Sequence, residues 1–171
     1  MYYTDKKNIE SVAVMADNNL YRYRLTRTWD KEKEIVAVMM LNPSKANSLK
    51  TDNTIMNLTN YLIDNDFGGI DIVNMYAYMA TKTAELKNKS QSYEIHNNNH
   101  IIEAANQRDT FIIAWGSDQK EHVKRKREVE ALLLPFASKL KCFEDTQGKS
   151  PRHPLLLATD WNLRSYQFRY I

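Results

Sequence analysis

The chain has 171 residues, 43% of them apolar and 26% charged, and this globular mixture excludes a largely disordered protein. Its length fits one domain covering residues 1–171. The formal net charge of +3 permits a polyanionic partner without requiring one, and the single cysteine, Cys142, excludes a disulfide framework and a Cys-rich zinc ribbon.

Two further features concern location and charge. No apolar run approaches about 18 residues, and the first residues lack a basic segment followed by an apolar one, so we expect no membrane span, no signal peptide and a cytoplasmic location. The densest basic run, residues 120–127, is typical of the solvated face of a helix, with a phosphate-binding patch as the alternative.

Strand and helix patterns alternate from the start of the chain. Residues 21–29 alternate aromatic or branched side chains with basic ones, which predicts a half-exposed strand. The continuous apolar run at 35–41 predicts a buried central strand. Asp52 is placed to cap a helix that ends at Phe67 and the glycine pair after it.

The second half of the chain repeats this alternation. The predicted elements are a strand at 70–74, a helix at 93–107, a strand at 110–115, a Lys- and Glu-rich helix at 119–136, and short strands at 140–143 and 154–158. Apolar strands separated by amphipathic helices are typical of parallel sheets covered on both faces. The predicted fold is therefore α/β: a three-layer α/β/α sandwich with a mostly parallel central sheet.

Ligands of open parallel sheets bind beyond the carboxyl ends of the strands, which selects the segments after the predicted strands. These segments contain Asn42, Pro43, Ser44, Asn74, Tyr76, Trp115, Gly116, Arg152 and His153. They supply an amide, a hydroxyl, aromatic faces, a guanidinium and an imidazole. They supply no carboxylate or cysteine cluster and no GxxxxGK loop, so we expect no metal ion, no cofactor and neither an ATPase nor a kinase.

Most of these residues also have a purely structural interpretation. Asn42 precedes a proline and is suited to an Asx-type turn, whereas Asn74 at a strand end is suited to pairing with backbone groups. Trp115 could pack in the core, and Asp52 could cap its helix or face a site. His153 lies in an irregular stretch, which weakens the interpretation as a buried structural histidine.

Several motifs occur in a characteristic order. They are RYRLTRTW at 22–29, MLNPS at 40–44, DNT at 52–54, VNMYA at 73–77 with Ala80-Thr81, AWG at 114–116 and GKSPRHPL at 148–155. In these motifs the chain resembles the family called domain of unknown function 1643, which occurs in bacteria and phages. The resemblance covers nearly the whole chain but implies little about activity, because that family is known chiefly by its sequence pattern.

The same loop order is similar to that of the uracil-DNA glycosylase superfamily, especially its mismatch-specific branch. Residues 41–44 stand where those enzymes carry an Asn-Pro-Gly loop that positions water, and 153–155 stand where their last His-Pro motif lies. Residues 74–81 and 115–116 correspond to the two loops between them. The chain departs from that pattern at Ser44, in the missing serine of the last motif and in the incomplete wedge that props open a duplex. These departures argue against activity on uracil in double-stranded DNA.

This second resemblance implies hydrolysis of an N-glycosidic bond to a natural or modified base in a nucleic acid or nucleotide. Asn42 would orient water, His153 would donate a hydrogen bond to a base oxygen, and Asp52 is the nearest carboxylate. The expected substrate-binding residues are Pro43, Ser44, Asn74, Tyr76, Trp115, Gly116 and Arg152, with Tyr76 or Trp115 stacking on the base and Arg152 holding a phosphate. The alternatives are a non-catalytic module that binds a nucleotide, a nucleic acid or a protein, and a hydrolase of small nucleotide-like metabolites.

Overall fold

The computed structural model describes residues 1–44, 46–116 and 120–171, and for residue 83 the backbone alone. In these residues seven strands form one sheet: β1 (Glu10–Met15), β2 (Arg22–Thr28), β3 (Ile35–Met40), β4 (Gly69–Asn74), β5 (Phe111–Ile113), β6 (Leu140–Glu144) and β7 (Asn162–Ser165). The α-helices are α1 (Asn53–Asp64), α2 (Gln91–Gln107) and α3 (Val123–Leu133). No helix in the described ranges is both long and apolar enough to cross a membrane.

The sheet is mixed, with the strand order β1-β2-β4-β3-β5-β6-β7. Strands β4, β3, β5 and β6 run parallel to one another, whereas β1 with β2, β2 with β4, and β6 with β7 are antiparallel. The α/β class is confirmed, but the prediction of a mostly parallel sheet is wrong. The short β1–β2 connection explains part of this difference, because parallel neighbours need a crossover of a dozen residues or more.

Three further segments differ from the sequence-based prediction. Strands β1 and β7 were not predicted, since both lie at the sheet edges and their exposed faces leave only weak apolar patterns. The prediction of a strand at 154–158 is wrong, because a 3₁₀ turn occupies Pro154–Leu156. Pro154 has no N–H to donate to a strand ladder, and its fixed φ suits the first position of a helical turn.

Helices pack on both faces of the sheet because alternate strand residues point in opposite directions. One apolar cluster joins α1, through Ile55 and Leu58, to Val36 and Val38 of β3 and their neighbours. The other joins α2 and α3 to the intervening residues of the same strands, such as Met39. The carboxyl ends of the central strands are therefore bordered by helix α1 on one face and by α2 and α3 on the other.

Helix α1 begins as the sequence predicts. The Asp52 side chain accepts a hydrogen bond from the Ile55 N–H at 2.9 Å, so the predicted N-cap is confirmed. After the helix, the chain passes so close to another loop that a Cβ on Gly68 would lie 2.0 Å from the Asp30 carbonyl oxygen. Only glycine fits at this position. The helix itself ends earlier than predicted, at Asp64, before Phe67 and the glycine pair.

The basic residues of β2 are buried, although the sequence predicts a half-exposed strand. Arg22 and Arg24 are 2% and 8% exposed, because β1 and β4 flank the strand and both its faces are covered. Arg24 Nε donates to Asp71 Oδ1 at 2.6 Å, and Arg108 Nε donates to Asp71 Oδ2 at 2.8 Å. A fully buried carboxylate thus joins two guanidinium groups at the centre of the sheet.

Candidate functional site

A cavity of about 160 Å³ lies beyond the carboxyl end of β3. Its lining residues are Arg22, Met40, Asn42, Ser44, Asp52, Thr54, Ile55, Ala80, Thr81 and His153. The chain leaves β3 towards β4 on one side and later reaches β5 on the other side. This reversal is the point at which open α/β sheets place their ligands.

Asn42 lies two residues beyond the end of β3, and its amide group is fixed by the backbone around it. The two Nδ2 protons of Asn42 have acceptors in the carbonyl oxygens of Pro43, at 3.0 Å, and Ala80, at 2.7 Å. Since Nδ2 is engaged in this way, Oδ1 is the atom of the amide suited to accept a hydrogen bond from a ligand or a water molecule. Pro43 itself is buried and contributes its carbonyl oxygen to this arrangement, without lining the cavity.

Ser44 and Asp52 are hydrogen-bonded to each other beside the cavity. The Ser44 hydroxyl donates to Asp52 Oδ2, while Asp52 Oδ1 accepts from the first turn of α1. Both carboxylate oxygens therefore have structural partners, and the carboxylate can add negative charge to the cavity wall but has a capping role as well.

Replacing Asp52 separates these two roles. Asp52→Ala is expected to destabilise the protein by about 0.5–2 kcal/mol through loss of the cap, whereas Asp52→Asn should keep most of the stability because Asn caps equally well. Urea denaturation followed by circular dichroism measures both variants. Equal destabilisation by Asn and Ala would show that the charge, and not the cap, is what stabilises the helix.

His153 approaches the cavity from the last loop before β7, and its tautomer follows from its contacts. Its Nδ1 accepts a hydrogen bond from the Leu155 N–H at 3.2 Å, which places the proton of the neutral ring on Nε2. Burial lowers the pKa of His153 below its ordinary 6.5, against an opposing effect of Asp52. At neutral pH the imidazole is therefore uncharged and carries an Nε2–H donor.

Gly116 packs against His153 at the end of β5. A Cβ on Gly116 would lie 3.4 Å from His153 Cβ, and the φ of +87° at this position is one that other residues rarely adopt. The positive φ favours glycine at this position, and Gly116 itself does not line the cavity.

The other predicted substrate-binding side chains lie elsewhere. Trp115 is 4% exposed and packs edge-on against Tyr166, and Tyr76 borders a different cavity near α2 and α3. Both belong to the apolar cluster on the face opposite Met40, because the strand alternation turns them there. Neither ring therefore lines the cavity beyond β3.

Asn74 and Arg152 also lie outside the cavity. Asn74 is 1% exposed, stands beside Met40 in the β3–β4 register, and accepts from Asn97 Nδ2 through its carbonyl oxygen at 2.8 Å. Arg152 Nε forms a salt bridge with Asp145 at 3.2 Å. Its backbone N–H donates to the Phe143 carbonyl oxygen of β6 at 3.0 Å.

Arg22 lines the cavity and was not among the predicted site residues. It stands at the start of β2, which runs antiparallel to β4 and so begins near the carboxyl ends of the parallel strands. The arginine-rich alternation of β2 looked like a solvent-facing pattern. The burial of this guanidinium could have been predicted only from the interior position of β2 in the sheet.

The second cavity, of about 420 Å³, lies between the ends of α2 and α3. Arg125 and Lys124 from the basic run line it together with Glu94, Glu121 and Glu128. Lys126 is 1% exposed beneath the rings of Trp115 and Tyr170. The basic run is thus neither a purely solvated helix face nor an uninterrupted positive patch.

The family model described as "Protein of unknown function (DUF1643)" matches residues 22–155, which is more than half of the chain. The chain belongs to this family. No curated protein and no solved structure matches the chain. The DUF1643 match begins at Arg22 and ends at Leu155, so it contains every residue that lines the cavity beyond β3. Strands β1 and β7, at the two edges of the sheet, are outside the match.

Proposed function

We propose that this DUF1643 protein hydrolyses the N-glycosidic bond of a nucleobase held in the cavity beyond β3, on a three-layer α/β/α fold like that of the uracil-DNA glycosylases. The observation that carries the proposal is that Asn42 and His153 line one cavity. They come from opposite ends of the chain, and they are the residues that the resemblance to those enzymes assigns to water and to the leaving base.

The cavity size supports a small flat ligand. Pockets for drug-sized ligands measure about 300–1,000 Å³, whereas this cavity is well below that range. One heterocyclic ring suits its volume better than a complete nucleotide does, so the sugar would remain near the opening. The described lining residues include no Phe, Tyr or Trp, and the base would be held by its polar edges instead of by stacking.

His153 supplies the stabilisation that the leaving group needs. When an N-glycosidic bond breaks, the electron pair goes to the base and negative charge develops on its ring and carbonyl oxygens. A neutral imidazole with a fixed Nε2–H can donate a hydrogen bond to such an oxygen without transferring a proton. Because the donor is already oriented by the Leu155 N–H, little reorganisation accompanies the reaction.

Asn42 supplies the position for water. Its Oδ1 can accept a hydrogen bond from a water molecule, which then attacks the oxocarbenium-like sugar carbon. The proton that this water loses passes to the departed base anion, which leaves as the neutral base. An amide is no general base, and both oxygens of Asp52 already have partners. The rate would therefore depend mainly on stabilising the departing base, with Asp52 contributing negative charge near the cationic sugar.

Because both carboxylate oxygens of Asp52 already accept hydrogen bonds, a second candidate function is also favoured. Without a free carboxylate to activate water, the same cavity could hold a base or nucleotide without cleaving it. Such a binding module would retain the polar recognition by Asn42 and His153 and would show no turnover.

Mass-spectrometric detection of free bases tests the proposal. The purified protein is incubated with single- and double-stranded oligonucleotides and with mononucleotides, each in natural and base-modified forms. We expect release of a free base that is lost in Asn42→Ala and retained in Asn60→Ala, a matched amide variant at an exposed position of α1. Binding without release at high protein concentration would favour the binding module, and neither binding nor release would refute both functions.

A further inference from the structure

Arg22 places a buried positive charge on the wall of the cavity beyond β3. Its side chain is among the largest fully buried ones, and its residue is 2% exposed. Burial lowers the pKa of Arg22 to about 10, and the guanidinium therefore remains protonated at neutral pH. A charge in such a position normally has an opposite charge beside it.

The neighbouring Arg24 shows what a paired arginine in this sheet looks like. Arg24 Nε donates to the Asp71 carboxylate, and its Nη2 donates to Gln107 as well as to Asp71. Arg22 differs, because its Nη1 donates to the backbone carbonyl of Ala46 and its Nε has no hydrogen-bond partner among the described residues.

Asp52 does not complete a pair with Arg22. Its negative charge acts to raise the pKa of Arg22 and so partly opposes the effect of burial. Its two oxygens, however, accept hydrogen bonds from the Ser44 hydroxyl and from the Ile55 N–H. The described residues contain no salt bridge between Arg22 and a carboxylate. The Nε–H of Arg22 is therefore a buried donor on a positive group at a cavity wall.

The N-terminus of α1 borders the same cavity. Thr54 and Ile55 of its first turn line the wall, and the positive end of the helix dipole lies there. The Asp52 carboxylate already caps this helix, so the Arg22 guanidinium, whose Nε has no partner among the described residues, is the feature that favours a ligand with negative charge over a neutral one.

We propose that Arg22 binds an oxyanion group of the substrate, so that the preferred substrate is a nucleoside or nucleotide whose base carries a carboxylate, or one whose phosphate reaches Arg22 from the opening of the cavity. This inference rests on the proposed function, since it specifies the substrate class for the same site. A guanidinium edge matches carboxylate and phosphate oxygens equally well, so the two sources share one chemistry.

Isothermal titration calorimetry with two pairs of probes distinguishes these sources. Orotate is compared with uracil, which lacks the carboxylate, and uridine 5′-monophosphate is compared with uridine, which lacks the phosphate. We expect the anionic member of at least one pair to bind about 10- to 100-fold more tightly, the range for a hydrogen bond to a charged group. Equal binding within both pairs would overturn the inference.

Substitutions then show whether Arg22 is responsible. Arg22→Gln should abolish the preference for the anionic probe, and Arg22→Lys should keep part of it because the charge remains while the planar fork is lost. Arg27→Lys is the matched control: Arg27 lies on the same strand and binds the carbonyl oxygens of Asn47 and Lys50, but it does not line the cavity.

Measurements of folding and of turnover distinguish a failure of this inference from a failure of the proposed catalysis. If Arg22→Gln does not fold, as judged by circular dichroism, the probe pairs with the unsubstituted protein and with Arg22→Lys still decide the question. An anion preference that depends on Arg22 supports this inference even when no base is released, a result that contradicts the proposed catalysis alone. Base release from neutral substrates with full activity in Arg22→Lys would support catalysis and contradict the oxyanion site.

Discussion

His153→Ala is expected to lower the rate of base release by about 100- to 1,000-fold, the usual effect of removing one donor that stabilises a developing anion. The fold should survive, because the substitution removes only the Leu155 N–H contact, a hydrogen bond that contributes about 0.5–1.5 kcal/mol. Single-turnover release measured by mass spectrometry, with a thermal melt of the same sample, gives both quantities.

His96→Ala is the matched control, since His96 is an exposed histidine on α2 away from the cavity. His153→Gln, which retains an N–H donor, should recover part of the lost rate. An unchanged rate in His153→Ala would remove the imidazole from the mechanism.

The pH profile of release provides a further readout of the same residue. Because burial lowers the pKa of His153, the ring stays neutral as the pH falls through its ordinary 6.5. Activity that depends on the neutral ring should therefore stay level through pH 6.5 and decline only at lower pH. A decline centred above 6.5 would indicate that the ring does not act in this neutral form.

The largest expected loss of stability comes from Asp71. Asp71→Ala should destabilise the protein by about 3–5 kcal/mol, because it leaves two guanidinium groups, those of Arg24 and Arg108, without their buried carboxylate. Asp71→Asn keeps one acceptor oxygen and should lose less. Equilibrium urea denaturation measures the difference in unfolding free energy.

An exposed carboxylate serves as the control for this effect. Asp66 forms a surface salt bridge with Lys33, and its φ of 65° is one that Asn adopts readily. Asp66→Asn should change the stability by about 0–1 kcal/mol. A similarly small change in Asp71→Ala would mean that the arginines find other partners when the carboxylate is removed.

The sequence predicts best the elements whose pattern is set by burial. The apolar run of β3 could only be a strand covered on both faces, and the spacing of Asp52 before the apolar face of α1 specified a helix cap. The rule that ligands bind beyond the strand ends selected Asn42, Ser44 and His153, which the structure brings to one cavity.

Side-chain direction was the main source of error. Trp115 follows β5 as expected, but a shift of one residue along a strand reverses the face, and the sequence does not fix that parity at a strand end. The position of β2 in the sheet was the second source of error. Its arginines look exposed until the neighbouring strands β1 and β4 are known, and pairing across the sheet is a long-range property.

The wall of the cavity takes a guanidinium from Arg22, on the first pair of strands, and an imidazole from His153, close to the last strand. A fragment that lacks either end of the matched region lacks part of the wall of this cavity. Any molecule that binds there would do so only to the completely folded chain, and mass action would then raise the melting temperature of the whole protein. A screen for thermal shifts could therefore find the natural ligand without an assay for turnover.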